Sequence, residues 1–169
     1  MRVEPGPAPV PGITLREARA SDEGLLKKLY RSSREPEMDT VAWSEEQKAA
    51  FCDSQFALQD RFYRENYEGM QMLVIERDAR PIGRLYLHAT DAELNIMDLT
   101  LDPPARGAGL GTALIQWLQR EAARHSKAII LHVEMYNRAR SLYQRLGFEE
   151  GPLEGVYVLM RWKPELKSG

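Results

Sequence analysis

The segment Arg106–Gly111, with the sequence Arg-Gly-Ala-Gly-Leu-Gly, has the composition of a loop that binds phosphate. It lies between a predicted strand and a predicted long helix. Because glycine has no Cβ, a loop rich in glycine lets backbone N–H groups approach a ligand closely. The helix that follows adds unpaired amides and the positive end of its dipole, which favour an anion such as pyrophosphate. The candidate ligand-binding residues are therefore Arg106, Gly107, Ala108, Gly109, Leu110, Gly111 and Thr112.

Two well-known phosphate loops do not fit this segment. A Walker loop requires Lys-Ser/Thr after its last glycine, but Thr112 and Ala113 follow Gly111. A dinucleotide-binding fingerprint that starts at Gly107 would place Thr112 where the third glycine or alanine belongs. That fingerprint also requires a β-α-β unit, whereas this loop follows a predicted antiparallel meander. The pattern that remains is Arg-x-x-Gly-x-Gly after a strand that ends in proline.

A second motif lies one helix and one strand further along the chain, in Val133–Phe148. It contains Asn, Ala, Leu-Tyr and Gly-Phe in that order. With these two motifs the sequence resembles the GNAT superfamily of acyl-CoA-dependent N-acyltransferases, whose second motif is Asn-x-x-Ala-x-x-Leu-Tyr-x-x-x-Gly-Phe. The glycine loop alone would also be compatible with a tight turn, and the second motif alone with a core helix. Together, in the family's order, they support a resemblance that covers about residues 13–162.

The resemblance implies that acetyl-CoA is the acyl donor; we expect no metal. In this family acetyl-CoA binds between the fourth and fifth strands, and the pantetheine arm pairs with the fourth strand, here Glu93–Leu101. The loop would bind the pyrophosphate, and Asn137 would contact the pantetheine or hold the two strands apart. By periodicity alone, the side chains of Leu99 and Leu101 belong to the core. This is compatible with the resemblance, because the contacts that it implies are made by the backbone. The expected backbone contacts are those of Leu99, Thr100 and Leu101.

The resemblance also implies how the residues would act in acyl transfer from a thioester to an amine. Tyr143 matches the tyrosine that often protonates the CoA sulfur in this family, and the backbone N–H near Leu99 would bind the oxyanion. As a packed helix residue, Tyr143 could instead direct its hydroxyl to a backbone group. The reaction needs a donor for the oxyanion, an acid for the thiolate and a route to deprotonate the amine.

Three residues are candidates for the general base, because an alkylammonium with a pKa near ~10 must lose a proton before it attacks. Counting back from Asn137 places His132 where some relatives carry a glutamate base, and Glu134 lies on the same side of that strand. Asp98 stands in an apolar run, where an unpaired carboxylate is costly. Each could also orient the substrate or be structural. Our hypothesis is that Asp98 and Glu134 form an acidic wall that attracts the amine, with His132 close by.

The acceptor is not specified beyond a primary amine of a small molecule or a peptide. We expect residues 36–43 to form a mobile loop over its site. An alternative function is a non-catalytic acyl-CoA-binding or regulatory module of the same fold; Tyr143 and the available carboxylates favour the enzyme. Residues that could line the acceptor site, although their helical spacing is also typical of a core, are Tyr30, Arg34, Trp43, Phe56, Tyr63 and Tyr157.

Hydrophobic periodicity predicts the element order β-α-α-β-β-β-α-β-α-β. Strands before and after helices, with a late strand-helix-strand step, indicate an α/β fold in which helices flank a mixed sheet. Residues 1–12 contain four prolines and two glycines, so we expect a flexible leader. A single acetyltransferase domain is expected over residues 13–162, followed by a tail at 163–169.

Composition excludes several classes of protein. The formal net charge of −2 argues against binding to nucleic acid or to an anionic membrane. The single cysteine cannot form an intramolecular disulfide, and no Cys/His cluster has the spacing of a zinc site. No secretory signal or membrane-spanning run is recognisable, so we expect a cytoplasmic protein. A homodimer is possible through the last strand, where Val156, Val158 and Met160 could line an interface.

Overall fold

Eight strands form one continuous sheet in the computed structural model, which describes residues 1–165. Their order in the sheet is β1-β2-β3-β4-β5-β6-β8-β7. Strands β5 and β6 are parallel, and every other neighbouring pair is antiparallel. The strands are β1 Gly6–Pro7, β2 Ile13–Glu17, β3 Gln71–Arg77, β4 Arg80–Ala89, β5 Glu93–Leu101, β6 Ala128–Glu134, β7 Glu149–Glu154 and β8 Tyr157–Trp162.

Helices cover both faces of this sheet. On one face, α3 packs on the apolar side chains of the central strands and forms the main core with them. On the other face, α1 and α2 enclose a second, smaller core that consists of Leu26, Tyr30, Cys52 and Phe56. The helices are α1 Glu23–Met38, α2 Glu45–Asn66, α3 Leu110–Arg124 and α4 Ala139–Arg145. The predicted mixed α/β fold is therefore confirmed.

Two strands were not predicted, and both lie at edges of the sheet. The first, β1, contains two residues. The second, β7, has the sequence Glu-Glu-Gly-Pro-Leu-Glu and is exposed along its whole length. Its charged residues and Pro152 are typical of an edge strand protected against pairing with another chain. Because β7 lies outside β8, the last strand is not the edge of the sheet. Of the predicted interface residues, Val158 and Met160 are buried in the main core and only Val156 is exposed.

The N-terminal segment packs against the sheet, which differs from the flexible leader that we expected. Val3 and Ala8 are buried. The side-chain amide of Gln71 accepts a hydrogen bond from the backbone N–H of Val3 at 2.9 Å and donates one to its carbonyl oxygen at 2.8 Å. A glutamine amide can thus replace a neighbouring strand, a contact that proline content does not reveal. Of the tail predicted at 163–169, residues 166–169 lie outside the described part of the chain.

The helices differ from the predicted ones in their limits and in their faces. Proline is expected to end a helix, but α1 continues past Pro36 to Met38, and the N–H of Asp39 donates to the carbonyl oxygen of Glu35. In α2 the spacing of Phe51, Leu58 and Phe62 predicts a buried apolar stripe, but this is wrong, since Leu58 and Phe62 are 59% and 54% exposed. The face of α2 that packs on α1 carries Cys52 and Phe56 instead. Within residues 1–165, no helix combines the length and apolar character that a membrane span requires.

Candidate active site

The two parallel strands β5 and β6 separate at their carboxyl ends. They pair from Glu93, opposite Ala128, to Ile96, opposite Leu131, and not beyond. The separation begins at a β-bulge, because Ile96 lies opposite Leu87 of β4 while Asp98 lies opposite the adjacent Tyr86. A bulge bends its strand and increases the local twist. A gap therefore opens between residues 98–101 of β5 and residues 132–134 of β6.

The backbone of β5 presents hydrogen-bonding groups to this gap. The N–H of Asp102 donates to the carbonyl of Ile82 on β4 at 2.7 Å. Because the groups of an antiparallel strand alternate in direction, the backbone of Thr100 faces β4, and those of Leu99 and Leu101 face the gap. An ideal Cβ on Gly83 of β4 would lie only 2.6 Å from the carbonyl oxygen of Thr100, which agrees with this orientation. The backbone groups of Leu99 and Leu101 are therefore free to pair with a ligand in the gap, and the contact of all three residues with pantetheine stays a prediction.

The glycine loop connects the end of β5 to the start of α3, beside the same gap. Residues 106–109 are exposed, and Gly107 and Gly109 have φ angles of +83° and +79°. Gly109 immediately precedes α3, and a side chain at this left-handed position would be strained. The first three amides of α3, those of Leu110, Gly111 and Thr112, have no carbonyl partners within the helix. They can bind an anion, although the side chain of Leu110 itself is buried in the core.

Arg106 holds the loop in place from within the chain. Its Nε donates to the carbonyl oxygen of Leu101 at 2.9 Å, and its Nη2 lies 3.4 Å from the Ser32 hydroxyl of α1. The guanidinium therefore ties the loop to the end of β5 and to α1. Ala108 lies at the exposed tip of the glycine loop, where only its backbone carries groups that can bind a ligand.

Tyr143 lies on α4, with its ring 5.7 Å from that of Phe148 and packed against the main core. Burial, and to a smaller extent the negative charge of Asp98, raise the pKa of Tyr143 to about 12. The phenol is therefore protonated at neutral pH and can donate a proton.

Arg140 anchors α4, since it donates to the carbonyl oxygen of Met135 and to the carboxylate of Glu150.

Asn137 caps α4 rather than reaching into the gap with its carbonyl oxygen. Its Oδ1 accepts a hydrogen bond from the N–H of Ala139 at 2.9 Å. A single residue separates Asn137 from Ala139, one fewer than in the motif that the sequence resembles. Counting back from Ala139 therefore places Tyr136, which is 87% exposed, at the asparagine of the motif. The contact of Asn137 with pantetheine stays a prediction.

Asp98 belongs to a partly buried polar network between the sheet and α2. The guanidinium of Arg84 donates to both carboxylate oxygens of Asp98, at 3.1 Å from Nε and 2.8 Å from Nη2. Thr100 donates its hydroxyl to Oδ1 of Asp98 at 2.6 Å. Arg84 also donates to Gln59 of α2 at 3.2 Å and is only 1% exposed.

The other two base candidates lie on β6. Glu134 forms an ion pair with Arg34 of α1 at 3.6 Å, and His132 is exposed on the same face of the strand. Both carboxylates of the predicted acidic wall therefore have an arginine partner. Arg34 lies closer to Glu37, at 3.0 Å, so it is shared by two carboxylates, and the acidic wall stays a prediction.

Of the six predicted acceptor residues, Tyr30, Phe56 and Arg34 lie together, with the Arg34 guanidinium 5.9 Å from the centroid of the Tyr30 ring. Tyr30 and Phe56 pack edge to face in the small core between α1 and α2, with ring centroids 5.9 Å apart. Tyr63 is half-buried over Tyr86, and Arg34 faces Glu134. Trp43 and Tyr157 are exposed. The first three residues of the predicted loop at 36–43 belong to the end of α1.

Sequence reasoning missed Arg84 and Gly83, the two residues of β4 that shape the end of β5. In the run Arg84–Leu87 the leucines lie on one face of the strand, and Arg84 and Tyr86 lie on the other. A face that carries an arginine is typically exposed to solvent, but α2 covers this one. The usable signal was Gly83, since a glycine inside a strand often marks a close backbone approach.

Comparison with known proteins agrees with this geometry. Residues 26–148 match the model of the acetyltransferase (GNAT) family. No curated protein sequence matches the chain. Among residues 1–165, no group of three or more His, Cys, Asp and Glu side chains is arranged to bind a metal ion.

Solved structures share the fold at low sequence identity. The PaiA N-acetyltransferase of Thermoplasma acidophilum, solved with coenzyme A, is 19% identical over 89% of this chain and 98% of its own, with a TM-score of 0.65. YncA of Salmonella typhimurium, solved with its cofactor acetyl-CoA, is 19% identical over 94% and 97%, with a TM-score of 0.56. The ribosomal-protein-S18-alanine N-acetyltransferase of Escherichia coli is 17% identical over 92% and 96%, with a TM-score of 0.62.

Proposed function

Because the chain belongs to the GNAT acetyltransferase family, we propose that it transfers an acetyl group from acetyl-CoA to the primary amine of a small molecule or peptide. The observation that carries this proposal is the gap between β5 and β6, which has the glycine loop at the same end. An extended chain of amides and a pyrophosphate are the two parts of coenzyme A that such a site would suit.

The residues at the gap fit acetyl-CoA, whose thioester supplies an activated acetyl carbon. The carbonyl oxygen of Leu99 and the N–H of Leu101 would pair with the pantetheine arm. The amides of Leu110, Gly111 and Thr112 would bind the pyrophosphate at the start of α3. The exposed loop at 106–109 leaves room for the ligand, since an ideal Cβ on Gly107 or Gly109 would meet no atom within 4 Å.

Three further roles are needed for acyl transfer, and residues at the gap can fill them. The N–H of Leu99 would donate to the negative charge that develops on the carbonyl oxygen. Tyr143, protonated at neutral pH, would donate its proton to the departing thiolate. Glu134 would accept the proton of the amine. Its carboxylate has a long ion pair of 3.6 Å and is 40% exposed, so it can pass the proton to solvent.

Calorimetric titration with acetyl-CoA, and with CoA for comparison, tests the site. We expect micromolar binding that is lost in Gly109→Ala, because a side chain at φ +79° distorts the loop. Gly69→Ala is the matched control: Gly69 also has a φ of +79° and open space around it, but lies at the other end of the sheet. Equal losses in both variants, or no binding by the unmodified protein, would contradict the proposed site.

A screen of primary amines with acetyl-CoA then tests the reaction. Release of free CoA with at least one amine is expected, and His132→Ala should reduce turnover less than Glu134→Gln. Tight binding of acetyl-CoA without turnover of any amine would instead support the non-catalytic acyl-CoA-binding module.

A further inference from the structure

We infer that Asp98 is the carboxylate that binds a cationic acceptor amine, and that Arg84 is the positioning residue that holds it. This inference rests on the proposed function and names its substrate class: an aliphatic primary amine that arrives as an ammonium ion. The general base is then a different residue.

The placement of Arg84 is the first observation. Its side chain is 1% exposed, and its guanidinium lies over the ring of Tyr86, 4.7 Å from the centroid. Burying an arginine is costly unless its charge is paired and its donors are bonded. Both oxygens of Asp98 provide that pairing in a bidentate contact, which fixes the orientation of the carboxylate.

The second observation is that the carboxylate of Asp98 has one hydrogen-bond acceptor position left. A carboxylate offers about four acceptor positions. Arg84 occupies two of them and the Thr100 hydroxyl occupies a third, on Oδ1. The position left lies on Oδ2, and the side chain keeps 18% exposure beside the gap. Asp98 can therefore accept one more hydrogen bond, and an ammonium N–H would be a charge-assisted donor.

The ion pair also separates binding from proton transfer. Protonation of Asp98 would leave the guanidinium of Arg84 buried without its counter-ion, so Asp98 suits the binding of the amine rather than the removal of its proton. The tyrosines near Asp98 are Tyr63 of α2, Tyr86 of β4 and Tyr143 of α4; burial and, to a smaller extent, the charge of Asp98 raise the pKa of all three. None of these phenols supplies a base at neutral pH, and the amine proton must leave through another group.

The test measures steady-state kinetics with aliphatic primary amines and short peptides, and with aniline as an amine that is neutral at pH 7. Asp98→Asn should raise the KM for the best aliphatic amine at least tenfold, with the KM for acetyl-CoA changed less than twofold. The acidic limb of the kcat–pH profile should keep its midpoint, since Asp98 is not the base. Aniline should be a poor substrate of the unmodified protein.

Arg84→Lys tests the positioning role of Arg84, because lysine keeps the charge and loses the bidentate contact. We expect the same rise in amine KM as in Asp98→Asn, and no further rise when the two substitutions are combined. Thr100→Val, which removes one hydrogen bond and almost no volume, should raise the amine KM in a protein that still folds. The matched controls are Arg161→Lys and Glu93→Gln, which alter an ion pair of 2.6 Å at the opposite end of β5 and should leave the amine KM unchanged.

The outcomes separate this inference from the proposed function. An unchanged amine KM in Asp98→Asn, or a shifted acidic limb of kcat, would overturn the inference while the acetyltransferase activity stands. Efficient acetylation of aniline would overturn the substrate class. If the unmodified protein acetylates no amine at all, the proposed function fails and this inference fails with it.

Discussion

At the scale of single residues, the environment of Tyr143 decides what its hydroxyl can do. A tyrosine with an ordinary pKa near ~10 is already protonated at neutral pH. Burial and the charge of Asp98 raise the pKa of Tyr143 to about 12, so the phenol stays a proton donor even in alkaline solution. Its ring packs on Phe148, so phenylalanine at position 143 would preserve the packing and remove only the hydroxyl.

We predict that Tyr143→Phe lowers kcat roughly 10²-fold or more, the usual range for loss of a general acid. The affinity for acetyl-CoA, measured by calorimetry, should change little. The control is Tyr67→Phe, a tyrosine at the end of α2 whose ring packs on His88 at 5.3 Å. A kcat within twofold of that of the unmodified protein would exclude Tyr143 as the acid.

At the scale of elements, the end of β5 depends on how closely β4 approaches it. An ideal Cβ on Gly83 would lie 2.6 Å from the carbonyl oxygen of Thr100 and 3.0 Å from the side chain of Leu101. The first of these atoms belongs to the backbone, so the strand itself would have to move. The strand also carries Leu99, so such a movement would alter the gap that we assign to acetyl-CoA.

We therefore predict that Gly83→Ala destabilises the fold by about 1–3 kcal/mol and weakens acetyl-CoA binding at least tenfold. Urea unfolding and calorimetric titration measure the two effects. Gly24→Ala is the control: Gly24 lies in α1 with no atom within 4 Å of an added Cβ, so alanine should be neutral or stabilising there. Full affinity and stability in Gly83→Ala would show that β4 and β5 adjust freely.

At the scale of the whole molecule, an ion-pair cluster joins β2, β3 and the start of α1. Arg16 of β2 donates to both oxygens of Asp22, at 2.8 and 2.9 Å, and its Nε lies 3.3 Å from Glu76 of β3. Asp22 also accepts from the backbone N–H of Arg19 at 2.7 Å. The hydrogen bonds from Arg16, with smaller contributions from Arg19, lower the pKa of Asp22 to about 2.

A lowered pKa stabilises the folded state above the unfolded pKa, and the stabilisation is lost as pH falls through the folded one. The contribution of Asp22 should therefore be complete above about pH 4 and should disappear towards pH 2. We predict that Asp22→Asn lowers the free energy of unfolding by roughly 2 kcal/mol at pH 7, and by much less at pH 2. Asp60→Asn, in a helical surface pair with Arg64, should cost about 0.5 kcal/mol or less. Equal losses for Asp22→Asn at both pH values would contradict this assignment.

Much of the architecture was predictable because it depends on neighbouring residues. The alternation of apolar and polar residues in Ile13–Ala18 and the three-and-four spacing of apolar residues after Gly109 are properties of short segments, and both led to elements that the structure contains. The glycine loop and the Leu-Tyr and Gly-Phe pairs were also sufficient to indicate the family, which the match over residues 26–148 shows. Edge strand β7 escaped prediction because an exposed, charged strand has no apolar periodicity to detect.

The arrangement of the site was decided by tertiary structure alone. Arg84 and Asp98 are fourteen residues apart, and only the antiparallel register of β4 and β5 places them in contact. The pairing of Glu134 with Arg34 likewise joins β6 to α1, across a hundred residues of chain. The sequence by itself determined the elements, their order and the loop, since local sterics and periodicity govern these. The tertiary structure determined which carboxylate is held by which arginine and which backbone groups face the gap, because those depend on strand register and on the bulge in β5.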